Sequence, residues 1–127
     1  MTTDLSRLDL PDGAWATFRT RYGWGPSVRI QAVLIDGDGS EAFMRAMVRE
    51  TVTAWHLPTE SGGWHDFAAT ADNPFVSDDA MDLIDATVGD AVLGRCNAIW
   101  RAWRKGRPDP KDTNEPSTAT PPAPPSA

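Results

Sequence analysis

One cysteine, Cys96, stands in a chain of 127 residues. It excludes an internal disulfide and any zinc cage built on several cysteines. No apolar run approaches the ~18 residues that mark a membrane-spanning helix. The first residues, Met1-Thr2-Thr3-Asp4-Leu5-Ser6-Arg7, lack a basic start followed by an apolar core, so no secretory leader is read there. Basic residues are few: 12 Lys and Arg against 18 Asp and Glu give a formal charge of −6. That balance argues against a phosphate backbone as the main partner. The expectation is a small, soluble, intracellular acidic domain.

Two residue types are abundant instead, with 11 prolines and 6 tryptophans. Seven of the prolines (108, 110, 116, 121, 122, 124 and 125) lie after Gly106. The segment from Arg107 onward has no large apolar residue and cannot offset its ordering entropy by burial. Residues 1–105 are therefore expected to form one globular domain, and residues 106–127 a disordered Pro-rich tail.

Within the body, Pro11-Asp12-Gly13 is a turn tripeptide flanked by Leu8 and Leu10 on one side and Trp15 and Phe18 on the other. A short β-hairpin over 6–10 and 14–20 follows. Tyr22-Gly23-Trp24-Gly25-Pro26 then breaks the chain. The stretch 27–35 stays open: Val28, Ile30, Ala32 and Leu34 alternate like a strand, while Ser27 could cap a short helix. After the loop Asp36-Gly37-Asp38-Gly39-Ser40, the residues Phe43, Met44, Met47, Val48, Thr51, Val52 and Trp55 recur at three- and four-residue steps. This predicts an amphipathic helix over about 40–56, capped by Asp38 or Ser40. Residues 57–76 show no period and read as a long connection pinned by Trp64, Phe67 and Phe75. Ser77-Asp78-Asp79 then opens a helix marked by Met81, Ile84, Val88, Val92, Cys96, Ile99 and Trp103. Unbroken, its length would reach about 42 Å, more than such a domain needs, and a bend or break is expected near Gly89 and Gly94. The fold class expected is α+β, mostly helical, with a short N-terminal hairpin, a long C-terminal helix and a disordered tail.

Each constellation that could carry chemistry has a plainer structural account. His56 and His65 each follow a tryptophan but do not have zinc-ligand spacing. The loop at 36–40 starts like a calcium loop, yet Glu41 stands where glycine is needed and Met47 where a bidentate Glu is needed. Cys96 lies on an apolar helical face, as an inert thiol does. Asp78, Asp79, Asp82 and Asp85 suit the start of a helix. The basic group Arg95, Arg101, Arg104, Lys105 and Arg107, interleaved with Trp100 and Trp103, fits a helix C-terminus better than a nucleic-acid site. No catalytic, metal or cofactor site is read. The tryptophans outnumber what a small core needs, and Trp24, Trp64 and Trp100 are the candidates for a partner-binding surface.

The order of features resembles a family. A hairpin reading Leu-Pro-Asp-Gly-Ala-Trp-Ala-Thr-Phe-Arg precedes the Tyr22-Gly23 break, and a helix ends in Thr53-Ala54-Trp55-His56-Leu57-Pro58. A loop then leads to Asn73-Pro74 and a final helix. Over residues 8–105 this layout is similar to the small tail assembly chaperones of long-tailed bacteriophages, especially those of actinobacterial hosts. The resemblance implies a protein without an active site that coats the long, helical tape measure protein in the host cytoplasm, in several copies, until tube subunits replace it. The alternative reading is a structural virion protein, such as a neck or head–tail connector or a minor tail component.

Overall fold

The computed structural model describes residues 5–36 and 40–106. The first hairpin pairs β1 (Leu5–Asp9) with β2 (Trp15–Arg19) in antiparallel register, Asp9 opposite Trp15 and Leu5 opposite Arg19. A single 3-10 turn over Pro11–Gly13 joins them. Proline presets its first residue, and Asp12 and Gly13 then adopt φ of 64° and 85°. Asp and Gly are residues that tolerate this left-handed region.

The stretch left open by alternation is helical: α1 (Trp24–Ala32) runs into a 3-10 turn over Val33–Asp36. Next comes α2 (Glu41–Thr51), whose N-cap Ser40 accepts a hydrogen bond from the Phe43 N–H at 3.1 Å. Asp38, the other expected cap, and most of the calcium-like loop lie outside the described residues. So does the Pro-rich segment from Arg107 onward.

The expectation of a mostly helical fold with a lone hairpin is overturned. The chain builds a four-stranded antiparallel sheet in the order β1-β2-β3-β4, with its helices packed on one face. The helix expected to run to residue 56 stops at Thr51, and β3 (Val52–Pro58) starts on the next residue. Val52 and Thr53 are β-branched and favour extended backbone. Opposite β2 the register shifts between Thr17, which faces Ala54, and Phe18, which faces Val52, leaving Thr53 as a bulge. The supposed long connection contains β4 (Trp64–Ala68), paired to β3 from Pro58 opposite Trp64 to Ala54 opposite Ala68.

The final helical stretch breaks at a different place from the one expected. It is two helices, α3 (Asp78–Leu83) and α4 (Ala86–Lys105), broken at Ile84 and Asp85 rather than at either glycine. Tertiary bonds make the break: Ile84 bridges to Thr59, the Asp85 N–H donates to the Pro58 carbonyl, and the Glu60 N–H donates to that of Leu83. Asp85 then caps α4 by accepting from the Val88 N–H at 3.2 Å.

The core lies between the sheet and the helices. Ala16, Phe18, Trp55, Leu57 and Phe67 project from the strands onto Ile30, Met47, Val92 and Cys96. Tyr22 joins the end of α4 to this core, with its ring edge-on to Trp100 and Trp103 and its hydroxyl sharing a 2.8 Å hydrogen bond with Thr51. No described helix is long and apolar enough to cross a membrane.

Candidate binding groove

The helical layer leaves a trough along the seam between α2 and α4. Amphipathic spacing on α2 brings Phe43, Ala46 and Met47 inward, while Met44 and Val48 fall at the edge of that face. On α4 the stripe Asp90, Leu93, Gly94, Asn97 and Arg101 runs beside them. Two hollows result, of about 310 and 300 Å³, and they share Met44, Asp90 and Leu93. The larger reaches down to Trp55 and Leu57 of the sheet and is closed at one end by Met81 and Ile84. Enclosed small-molecule sites span about 300–1,000 Å³ and bury most of their ligand. These two hollows are at the bottom of that range and open along one side, which suits side chains presented by another chain. Methionines such as Met44 and Met81 adapt their shape to varied apolar partners.

Arginines of α2 fix the closed end, with Arg49 Nη1 3.8 Å from Asp78 and Arg45 more fully engaged. Arg45 donates from Nη2 to Asp82 at 2.6 Å and from Nε to Glu41 at 2.7 Å, and lies 3.6 Å from Asp78. It thereby ties α3 to α2, and the bonds to Asp82 and Glu41 hold its guanidinium still more firmly protonated. Away from the seam, Arg29 of α1 grips Glu50 of α2 with two hydrogen bonds of 2.9 Å. The Glu50 side chain is 1% exposed, so these bonds satisfy a carboxylate that water does not reach.

The three tryptophans expected on a partner surface are not brought together. Trp24 is 85% exposed at the start of α1, and Trp64 is 47% exposed on β4. Trp100 is 5% exposed and belongs to the core. Its place on α4, four residues after Cys96 and eight after Val92, puts it on the buried stripe. Trp64 stacks on His56 with centroids 4.3 Å apart and planes 1° from parallel. On the same open face of the sheet, Arg7 lies 4.8 Å over Trp15.

The histidines prove to be neighbours on paired strands, facing opposite sides. His56 Nδ1 and Asp66 Oδ1 are hydrogen-bonded at 2.6 Å on the open face. His65 Nδ1 accepts from the Trp55 indole N–H at 3.0 Å on the core side. Among the described residues no group of three or more His, Cys, Asp or Glu is placed to hold a metal ion. Cys96 is fully buried, and burial pushes its thiol up to about 12. Of the acidic run, Asp78 and Asp82 serve Arg45 and Asp85 serves as a cap. Of the basic run, Arg95 donates to Ser6 Oγ at 2.9 Å, Arg101 to Asn97 Oδ1 at 3.1 Å, and Arg104 lies over Trp100. Arg107 lies outside the described residues.

The trough escaped the sequence reading because its lining residues alternate with core residues on the same helices. The available signal was Gly94, a glycine inside a helix. It costs about 1 kcal/mol relative to alanine, yet a Cβ built there meets nothing within 4 Å.

No protein-family model matches this chain, and neither a curated protein nor a solved structure matches it.

Proposed function

We propose that this chain is a non-enzymatic tail assembly chaperone of a long-tailed phage, one that holds helical segments of the tape measure protein in the host cytoplasm until tube subunits replace it. The observation that carries the reading is the open, methionine-lined trough between α2 and α4. A protein that sheathes a long amphipathic helix needs an apolar seat open along its length and tolerant of changing side chains, and an apolar helix face laid into a groove is a recurrent way to meet that need. The similarity in sequence motifs over residues 8–105 suggests the partner, although residues 52–58 are a strand and not a helix end, and the open trough is compatible with a helical one. Coating a long helix takes several copies, so the complex contains more than one chain per tape segment.

Mixing the purified protein with tape measure segments tests this. A soluble complex with several copies per segment is expected, and no interaction at micromolar concentrations rejects the reading. Recovery of the chain from purified virions would replace it with the structural one, a neck, connector or minor tail component, because an assembly chaperone departs before completion.

A further inference from the structure

We infer that a partner helix crosses α4 at Gly94, seated along the α2–α4 trough with basic side chains at its Asp90 end and acidic ones at its Arg101 end. The inference rests on the reading of the trough as the binding face and adds what the occupant must look like.

Length is the first argument. The α4 side of the trough extends from Gly89 to Arg101, thirteen residues whose twelve steps rise about 18 Å and match about three turns of a partner helix. Three turns present apolar anchors at i, i+3 or i+4, and i+7, the pattern that helix-in-groove recognition uses. A compact ligand would leave most of that length unfilled, and an extended strand would meet helices there rather than a sheet edge to pair with.

Gly94 is the second. It faces the trough beside Leu93 and Asn97, and a Cβ there would meet no atom of the fold within 4 Å. Packing within the chain therefore places no demand for glycine at this position. A crossing helix does place one, because helices approach to about 8 Å only where the contact carries small side chains.

Charge is the third. Glu41, Asp82 and Asp90 surround one end of the trough against the single cation Arg45. Arg45 is already engaged by Asp82 and Glu41, while Asp90 is exposed and has no ion pair among the described residues. At the other end stands Arg101, whose Nε is bonded to Asn97 and which has no acidic partner among the described residues. Complementary ends favour one orientation of a helix and reject its reversal.

Two designed amphipathic peptides with the same leucine and alanine face serve as probes. One carries lysines at one end and glutamates at the other, and the second carries glutamates throughout. Binding is read from the methyl resonances of Met44 and Met81. The mixed-charge peptide should shift both methyls and bind at least tenfold more tightly than the all-glutamate peptide. Gly94→Leu should weaken that binding at least tenfold while leaving the melting temperature equal or higher. Asp90→Lys, at an exposed position, should remove the preference between the peptides, and it keeps the test decisive if the leucine variant fails to fold.

Failure of both peptides to bind, equal binding of the two, or unchanged binding to Gly94→Leu would overturn the inference. So would shifts confined to the open sheet face around His56 and Trp64. If tape measure segments bind the wild type and Gly94→Leu alike, this inference falls and the chaperone reading stands. If the mixed-charge peptide binds at the trough and tape segments do not, the reverse holds.

Discussion

Glu50 shows how much a single side chain can depend on its neighbour. Its carboxylate is shut away from water and held by two nitrogens of Arg29, with Arg49 Nε 3.9 Å away. Arg29→Ala would leave a buried charge largely unpaired, a loss of about 3 kcal/mol. Urea unfolding checks this: the midpoint should fall with an unchanged slope, and a negligible change would mean that Arg49 takes over. Cys96 and Tyr22 set a different dependence. Burial keeps both protonated to about 12 in the folded protein, whereas their ordinary values are 9.0 and 10.0. Below pH 9 both states hold these protons and no stability is lost. As pH rises from 9 toward 12 the unfolded chain releases them first, and stability falls by about 1.4 kcal/mol per pH unit for each titrating group. Cys96→Ala should remove the part of the decline that begins near pH 9, as followed by thermal melts across that range. In the native protein at pH 8, iodoacetamide should leave Cys96 unmodified until denaturant is added.

At the scale of elements, α3 is the piece most open to independent motion. It has six residues, one of them buried, and Arg45 is its main polar tie to α2. Such partly exposed ion pairs contribute about 1 kcal/mol or less each. Arg45→Met should therefore speed amide exchange in α3 while shifting the global melting temperature by only a few degrees, and high salt should act in the same direction on the wild type. The first hairpin was legible in the sequence because Pro-Asp-Gly specifies its own turn. The junction at Thr51 was not, because Trp55 of the strand lies four residues from Thr51 and so continues the helical period by coincidence. β4 was hidden by its own pattern: polar His65 faces the core side and Trp64 faces out, the reverse of what alternation rewards. The Ile84 break answers to the strands at Pro58 and Thr59, partners more than twenty residues away that no local period can register.

At the scale of the whole molecule, the described residues share one continuous core, to which every strand contributes. Unfolding should accordingly be a single transition, with tryptophan fluorescence and far-ultraviolet circular dichroism giving the same midpoint; separate midpoints would show that sheet and helices part independently. The tryptophan surplus read from composition resolves at this scale into a gradient. Trp55 and Trp100 are buried, Trp15 and Trp103 are half-buried, and Trp64 and Trp24 are exposed. Composition could count these rings but could not sort them, since burial depends on which strand or helix face each one joins. One modest contact has a consequence for how copies can meet. Among the described residues β1 is an edge strand, and the Leu10 N–H bond to Ala14 fixes Arg7 as a residue whose backbone turns away from β2. Arg95 of α4 reaches that edge, donating to the Arg7 carbonyl at 3.4 Å and to Ser6 Oγ. The Arg7 carbonyl is one of the groups that an added strand would need, so pairing at this edge must first displace the Arg95 guanidinium.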